Sequence, residues 1–380
     1  MVPYFSIIMA SFNYAPYIGA AIESVISQSF QSWELLIVDD CSEDASWQVI
    51  SKYKDDRIQA WRNPRNLGAC PTYNQALHRA RGQYICCLDA DDFFFPGKLQ
   101  QQADFFAAHP DIDVCGTFVT EVDQGGLPSA AGGSYADWFN VPGDLNDPAS
   151  WVWENRLCHS GTAVRATRHH EVGDFDPLLV YTPDWQFWIR VMLAGGRFAV
   201  IQEPLVGYRN HGGNITHRNR QGTIREYAGI CAQLLFPRLR QMGRDDLVRK
   251  ASAEFIRRMA EEGSTELGET VARQLFGERD AAEIAAGWIE AAVKREAERR
   301  QNARYLEELQ QGKNWLEDQW RSSADELAKL QASAEAQHNA DVARIEVLQA
   351  KVEAQAIALE RIRGNRLVNL LRKIGAIDNV

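Results

Sequence analysis

The chain has 380 residues, of which 45% are hydrophobic and 24% are charged. This composition is typical of a soluble globular protein with one large domain or two modest ones. A formal charge of −10 argues against binding of nucleic acid through a broadly basic surface. No stretch reaches the roughly 18 apolar residues of a membrane-spanning helix.

The seven cysteines form neither CxxC pairs nor the spacing of a zinc site. Several lie within apolar runs, as the reduced core residues of a cytoplasmic protein do. The first residues lead directly into a strand-like run, Phe5–Met9, without the basic and long apolar segments of an export signal. We therefore expect a cytoplasmic protein.

Up to Asp92, short apolar runs alternate with segments whose apolar residues recur at helical spacing. The predicted strands are residues 4–9, 33–40, 58–61 and 84–88, and the predicted helices are residues 17–28, 45–53 and 72–81. Alternation of this kind predicts a mostly parallel α/β sheet that is covered by helices on both faces.

Two of these strands end in carboxylates, at Asp39-Asp40 and at Asp89-Ala90-Asp91-Asp92. The carboxyl ends of parallel strands form one edge of the sheet, where open α/β folds bind ligands. Three acids within four positions repel one another unless a cation lies among them, and a divalent metal that bridges a phosphate-bearing ligand would serve. The alternative is an acidic turn that caps a helix beginning near Pro96.

The pattern becomes irregular after residue 120 and regular again near residue 158. Gly, Pro, Ser and Asp are frequent in residues 121–151, which predicts a long loop that covers the substrate. The elements predicted beyond it are a helix at 184–193 with Asp184 in its first turn, a strand at 198–201 that leads to Val206–His211, and helical residues 223–290.

From about residue 287 the chain is rich in Ala, Glu, Gln, Lys, Arg and Leu and has no proline. Apolar residues recur there at alternate steps of four and three, with a four-residue stutter near Gln337, which predicts a coiled coil and a homo-oligomer. Lys313, Ser323 and Gln355 are the polar seam positions. A single charged helix packed on its own domain is the alternative. The apolar seam positions are Leu306, Leu309, Leu316, Trp320, Leu327, Leu330 and Ala334, then Ile345, Leu348, Val352, Leu359 and Ile362.

The C-terminal segment, residues 361–374, is basic on one face and apolar on the other. Such a segment can lie on an anionic membrane surface as a peripheral contact. Docking of a helix end on a partner subunit explains the pattern equally well, and the sequence does not decide between the two.

Six sequence elements follow one another in a fixed order. They are the first strand with Ser11-Phe12-Asn13, the strand end Val38-Asp39-Asp40-Cys41-Ser42, Asn66-Leu67-Gly68 with Asn74, Asp89-Ala90-Asp91-Asp92, Asp184-Trp185, and Tyr208-Arg209-Asn210-His211. Taken together, these elements resemble glycosyltransferase family 2, the inverting nucleotide-sugar transferases with the GT-A fold. The resemblance covers residues 4 to about 217. Cys41 stands where glycine is usual, and Pro183 precedes Asp184 where an acid is common.

The resemblance implies a GT-A catalytic domain at residues 1–220 and roles for particular residues. The sequence pattern beyond it predicts a helical extension at 221–290, a coiled coil at 291–363 and a basic amphipathic tail at 364–380. The residues implied to contact the donor nucleotide are Ala10, Phe12, Asp39, Asn66 and Asp89. Asp91 and His211 would bind Mn²⁺ or Mg²⁺, Asp184 would be the general base, and His159 would line the acceptor pocket.

The implied reaction transfers a sugar from a UDP or dTDP donor to a glycan or lipid-linked acceptor in surface polysaccharide or glycoconjugate biosynthesis. A lipid-linked acceptor would place the reaction at the inner face of the cell membrane. One alternative is a catalytically silent assembly protein that acts through its coiled coil. A nucleotidyltransferase also uses acids and a metal, but it usually has a basic Gly-rich loop after the first strand, and residues 10–14 are neither basic nor Gly-rich.

Overall fold

The computed structural model describes residues 2–129, 136–214, 219–261, 310–311, 314–330 and 342–363. Its eight strands are β1 Phe5–Ser11, β2 Trp33–Asp39, β3 Ile58–Arg62, β4 Tyr84–Cys87, β5 Phe93–Phe94, β6 Val114–Val122, β7 Ala163–Arg165 and β8 Phe198–Arg209. They form one sheet in the order β3-β2-β1-β4-β7-β6-β8-β5. The helices that pack with them are α1 Ile18–Ile26, α2 Ser46–Ile50, α3 Ala69–Leu77, α4 Lys98–Ala108, α5 Ala136–Phe139, α6 Ala166–Val172 and α7 Pro183–Leu193.

The first half of the sheet is parallel: β1 pairs with β2 on one side and with β4 on the other, and β3 pairs with β2. The residues of β1 alternate between the two faces, as a strand requires. Ile7 packs with α1 and α4 on one face, and Ile8 packs with α3 and α7 on the other. Both faces are therefore covered, and the α/β prediction is confirmed.

The second half of the sheet is mixed, because β7 is antiparallel to both β4 and β6, and β6 is parallel to β8. The long loop predicted from residue 121 was wrong at its start, since β6 continues to Val122. The strand predicted at 198–201 is also longer and ends at Arg209. Pro204 lies within this strand opposite Phe118 at a register irregularity, where a proline is tolerated.

Helix α3 begins three residues earlier than the sequence pattern predicted, at Ala69. Gly68 precedes it with a φ of 88°, and the Thr72 hydroxyl donates to the Gly68 carbonyl at 2.7 Å. Pro71 falls in the first turn, where a backbone N–H has no helical partner, and so it does not prevent the helix. The loop that precedes α3 is thereby fixed at the carboxyl edge of β2.

Four helical segments follow the sheet at Arg220–Ile230, Cys231–Leu235, Phe236–Gln241 and Asp245–Glu261. The segment Cys231–Leu235 is a π-helical turn. Pro237 lacks the N–H that would continue regular α-helical bonding into the preceding turn, which accounts for the widened turn just before it. Phe236-Pro237 therefore mark a change of helix type between consecutive helical segments.

The chain divides into two compact units, Met1–Ile289 and Glu290–Val380. The second unit contains described helices at 314–330 and 342–363. Arg344 Nη2 lies 3.6 Å from Glu326 Oε1, whereas one continuous helix would separate these positions by about 27 Å. These two helices are therefore not parts of one continuous straight helix.

Two described positions of the predicted seam are buried in the second unit, Ser323 at 3% exposure and Leu348 at 8%, while Trp320 is 38% exposed. The coiled coil, the oligomer and the domain boundaries stay predictions. The basic tail at 364–380 lies outside the described residues. Within the residues that are described, no helix is long and apolar enough to cross a membrane.

Candidate active site

The loops after β1 and β2 are tied to each other by side-chain hydrogen bonds. Asn13 Oδ1 accepts the Glu43 N–H at 2.8 Å, and the Asn13 N–H donates to Ser42 Oγ at 3.0 Å. Asn13 and Cys41 both have left-handed backbones, with φ of 61° and 62°. Glycine adopts this conformation most easily, which explains why glycine is usual at the position of Cys41.

The two acids that end β2 have different surroundings. Asp40 accepts three donors, the Asn63 side chain at 2.8 Å and the N–H groups of Leu67 and Gly68 at 2.9 and 2.8 Å, so it holds the loop before α3. Asp39 Oδ2 accepts from Arg62 Nε at 3.0 Å. Asp39 Oδ1 is buried and has no partner among the described residues. An unpaired buried oxygen of this kind is suited to a donor group on a ligand.

Three further predicted nucleotide contacts lie near the carboxyl ends of strands, Ala10 and Phe12 at β1 and Asn66 in the loop after β3. Asn66 is exposed, and its Oδ1 accepts the Gly68 N–H at 3.1 Å. Phe12 is 40% exposed directly after β1, and Ala10 is partly exposed at the end of that strand. These residues and Asp39 thus lie near the carboxyl ends of β1, β2 and β3.

Asp89 follows β4 and is held by two side chains from other elements. Its Oδ1 accepts the Tyr73 hydroxyl at 2.5 Å and lies 3.1 Å from His159 Nδ1. The Asp89 side chain is still 35% exposed, whereas that of Asp91 is 9% exposed. Burial disfavours the ionised form of Asp89, but the charge and hydrogen bond of His159 lower the pKa of this carboxyl overall. Asp89 is therefore an ionised carboxylate that remains open to a ligand.

Asp91 is paired with the imidazole of His211, whose Nε2 lies 3.0 Å from Asp91 Oδ2. The Gly213 N–H donates to His211 Nδ1 at 3.0 Å, which leaves the ring proton of the neutral form on Nε2. Burial raises the pKa of Asp91, and the neighbouring charge of Asp89 raises it further, while the His211 hydrogen bond opposes this. The His211 ring also stacks on Tyr17 at a centroid distance of 4.9 Å.

Asp92 is bound by side-chain and backbone donors from two other parts of the chain. It accepts the Ser160 hydroxyl at 2.6 Å and the Arg209 N–H at 2.8 Å. Burial raises its pKa well above the ordinary value, and the charge of Asp91 adds to the effect. Asp92 thus connects β4, the turn at His159–Gly161 and β8. The alternative reading of the acids as a helix cap was wrong, because Gly97 precedes α4.

Asp184 lies in the first turn of α7, as predicted. Its Oδ2 accepts from Asn155 Nδ2 at 2.6 Å. Burial raises the pKa of this carboxyl, while the charge of His159 and the Asn155 hydrogen bond lower it. Burial also disfavours the charged ring of His159, but the Cys87 side chain and the Asp89 carboxylate beside it raise the pKa of His159 well above its ordinary value. The His159 imidazole thus interacts with Asp89 by a hydrogen bond and with Asp184 electrostatically.

Residues 6–167 match the family model of Glycosyl transferase family 2. The chain contains a family 2 glycosyltransferase domain. The domain resembles the "Putative glycosyltransferase EpsE" of Bacillus subtilis, with 28% identity over 54% of this chain and 73% of that protein. It also resembles the "UDP-Glc:alpha-D-GlcNAc-diphosphoundecaprenol beta-1,3-glucosyltransferase WfaP" of Escherichia coli, with 27% identity over 58% of this chain and 83% of that protein.

Two solved structures share the fold of the glycosyltransferase. The crystal structure of S. aureus TarS 1-349 in complex with UDP-GlcNAc has a TM-score of 0.51 and 19% identity, over 78% of this chain and 92% of that chain. The mannosyltransferase PcManGT from Pyrobaculum calidifontis, in complex with GDP-Man and Mn²⁺, has a TM-score of 0.52 and 16% identity, over 77% of this chain and 81% of that chain. The predicted GT-A fold is confirmed.

Sequence reasoning missed several residues that surround the predicted ones in the glycosyltransferase. Arg62, Tyr73, Asn155, Ser160 and Arg209 contact Asp39, Asp89, Asp184 or Asp92. Arg209 does belong to the run Tyr208–His211 that was noticed, but no role was assigned to it. The other four stand in ordinary helix, loop or strand patterns, so no local signal marked them.

The predicted metal ligands fit a divalent cation as a partial donor set. Among the described residues, no three His, Cys, Asp or Glu side chains are arranged to hold a metal by themselves. Asp91 and His211 supply one hard oxygen and one imidazole nitrogen, a pair that suits Mn²⁺, and Mg²⁺ and Mn²⁺ sites commonly complete their coordination with phosphate oxygens and water. Metal binding through His211 Nε2 would displace the proton that this nitrogen shares with Asp91.

Proposed function

We propose that the protein transfers a hexosyl group, with inversion, from a UDP- or dTDP-sugar to a glycan or lipid-linked acceptor. The observation that carries this proposal is the linked series of acids at the sheet edge. Asp184 and Asp89 are both in electrostatic contact with His159, and Asp91 follows Asp89 at the same strand end. A base candidate and a candidate diphosphate site therefore belong to one electrostatically linked group of side chains.

The donor nucleotide would lie across the ends of β1 and β2. The unpaired Oδ1 of Asp39 can accept an N–H of a pyrimidine or a ribose hydroxyl, and burial strengthens such a bond. Phe12 offers an exposed ring beside the base, and Asn66 offers an amide in the facing loop. Asp89 is open enough to accept from a ribose or sugar hydroxyl.

The leaving group of this reaction is a nucleoside diphosphate, which gains negative charge as the glycosidic bond breaks. Asp91 and His211 would hold Mn²⁺ or Mg²⁺, which when bound stabilises that charge as a Lewis acid. The side chains of this pair are largely shielded from solvent, because Asp91 and His211 keep only 9% and 7% of their side-chain surface exposed.

Inversion needs a base on the face of the sugar opposite the diphosphate, to take the proton of the acceptor hydroxyl. Asp184 is the candidate because its carboxylate is partly buried and is oriented by Asn155. Its raised pKa makes it a stronger base than an exposed aspartate. His159 would line the acceptor side and help to keep Asp184 and Asp89 ionised together.

Relatives support the acceptor class. The Escherichia coli relatives WfaP and WfgD are both named for glucosyl transfer from UDP-Glc to N-acetylglucosamine on diphosphoundecaprenol. We therefore propose a lipid-diphosphate-linked sugar as the acceptor, which the protein would bind at the inner face of the membrane. Binding of the donor nucleotide does not depend on the identity of the acceptor and can be tested without it.

The test of the donor site is calorimetric titration of UDP, dTDP and GDP into the full chain with Mn²⁺, and again with a chelator. We expect metal-dependent binding of one pyrimidine diphosphate, weakened in Asp91→Ala because half of the protein donor set is lost. Asp184→Asn should bind the same diphosphate normally but lose turnover by orders of magnitude. Asp104→Asn, an exposed change on α4, is the matched control and should alter neither.

Absence of binding by all three diphosphates would contradict the transferase proposal and favour the assembly protein. Normal binding with full activity of Asp184→Asn would leave the donor site intact and remove the base assignment. Binding that does not depend on the metal would remove only the roles of Asp91 and His211.

A further inference from the structure

The helix Arg220–Ile230 lies beyond residues 6–167, the part that matches the family model. Its residue Glu226 accepts four hydrogen bonds from the three residues that precede α7. Glu226 Oε1 accepts the Val180 N–H at 2.7 Å. Glu226 Oε2 accepts the N–H groups of Tyr181 and Thr182 at 2.8 and 2.9 Å, and the Thr182 hydroxyl at 3.1 Å. One carboxylate therefore fixes three consecutive residues.

These hydrogen bonds matter because of where α7 begins. Thr182 is the N-terminal flanking residue of α7, and its own side chain makes no capping hydrogen bond. Asp184 is the second residue of the helix proper. The position of the Asp184 backbone is therefore set by the segment that Glu226 binds, since Pro183 allows little rotation between them.

Tyr227, the next residue of the same helix, supports Asp184 through Trp185 and Asn155. The Tyr227 ring packs against Trp185 at a centroid distance of 4.2 Å. The Asn155 N–H donates to the Tyr227 hydroxyl at 3.3 Å, and the Asn155 side chain donates to Asp184 Oδ2 at 2.6 Å. Two consecutive residues of one helix thus hold the backbone before Asp184 and, through Asn155, its carboxylate.

We propose that Glu226 is a positioning residue for Asp184, which it places through the backbone of Val180–Thr182. This inference rests on the proposed function, in which Asp184 is the base. Glu226 does not touch the reacting atoms. Its contribution is to hold the base at the distance and angle that proton transfer requires, and an error of about 1 Å in such a position can lower a rate about 100-fold.

Two variants of Glu226 remove its acceptors in a graded way. Glu226→Ala removes all four hydrogen bonds. In Glu226→Gln the amide oxygen can replace Oε2, but the NH₂ group then faces the Val180 N–H and leaves it without an acceptor. Arg225→Gln is the matched control, because Arg225 is exposed on the same helix.

The first measurement is hydrogen–deuterium exchange of the full chain at residues 180–182. We expect much faster exchange in Glu226→Ala, an intermediate rate in Glu226→Gln and the wild-type rate in Arg225→Gln. This measurement needs no substrate. Unchanged exchange at residues 180–182 in Glu226→Ala would overturn the inference, and this result would not depend on which substrate the enzyme uses.

The second measurement is UDP release from UDP-glucose and UDP-N-acetylglucosamine, with an N-acetylglucosaminyl diphospholipid as acceptor and Mn²⁺ present. For Glu226→Ala we expect a kcat about 100-fold lower, with unchanged KM for the donor and unchanged UDP affinity by calorimetry. A variant that was merely less stable would lose binding-competent protein and kcat together, and Arg225→Gln should match the wild type.

A double variant separates this inference from the proposed function. If Glu226 acts through Asp184, then Asp184→Asn with Glu226→Ala will be no slower than Asp184→Asn alone. Multiplied losses in the double variant would show that Glu226 acts independently and would overturn the inference. Full activity of Asp184→Asn would refute the base assignment itself, while a slow Asp184→Asn with a normal Glu226→Ala would refute only the role of Glu226.

Discussion

His169 is a buried histidine that should make the fold sensitive to mild acid. It is 1% exposed, and neither ring nitrogen has a hydrogen-bond partner among the described residues. Its ring packs against Phe187 at a centroid distance of 4.3 Å and against Phe175 at 5.7 Å. Burial lowers the pKa of His169 from 6.5 to about 3, because the charged ring would lose its hydration without gaining a partner.

The size of the stability loss follows from the difference in proton binding at His169 between the unfolded and the folded chain. The unfolded chain binds a proton at His169 below pH about 6.5, whereas the folded chain does not until pH about 3. The unfolded state therefore binds more protons in this window, and the stability contributed by the neutral ring is present above pH 6.5 and is lost as the pH falls. Between pH 8 and pH 5 the loss should be about 2 kcal/mol.

The variant His169→Leu cannot bind the proton and should lack this part of the pH dependence. We would measure the free energy of unfolding by urea denaturation at pH 8 and pH 5, and compare the change with pH in each protein. His170→Leu is the matched control, because His170 is the exposed neighbour in the same helix and should leave the change unaltered. An equal change with pH in the wild type and in His169→Leu would refute the reasoning.

Two further expectations concern the active-site edge. Cys41→Gly should raise the free energy of unfolding by about 1 kcal/mol, because glycine adopts a φ of 62° without steric strain, and thermal and urea unfolding would detect this. Cys41→Ala is its control and should give no gain. Asn155→Ala should move the acid limb of the kcat/KM profile to higher pH, because it removes a hydrogen bond that lowers the pKa of Asp184. If the acid limb of the kcat/KM profile of Asn155→Ala stays at the wild-type pH, Asp184 does not control that limb.

The sequence was most informative where function depends on strand ends. Asp39 and Asp89 could be placed at one edge because parallel buried strands are easy to recognise and their carboxyl ends coincide. The register bears this out, since Ser11 at the end of β1 pairs with Asp39 at the end of β2. Local pattern and topology suffice for such residues.

The sequence was least informative where a contact joins distant parts of the chain. Tyr73 meets Asp89 across 16 positions, Asn155 meets Asp184 across 29, and Glu226 meets Val180 across 46. Each of these residues stands in an ordinary local pattern, so only the packed structure shows what it contacts. The full length of β8 was missed for a related reason, because the register irregularity that accommodates Pro204 is a property of the strand pair and has no local sequence mark.

The two sides of the candidate site are therefore built in different ways. On the donor side, Asp39 and Asp89 are placed by strand ends within residues 6–167, where the family model matches. On the base side, Asp184 is placed by side chains, Asn155 and those of the helix Arg220–Ile230, most of which lie beyond that segment. Backbone pairing between strands forms with many different sequences, whereas the three N–H groups bound by Glu226 need a carboxylate at that one position. We therefore expect changes on the donor side to alter nucleotide affinity first, and changes behind α7 to alter turnover while nucleotide affinity is kept.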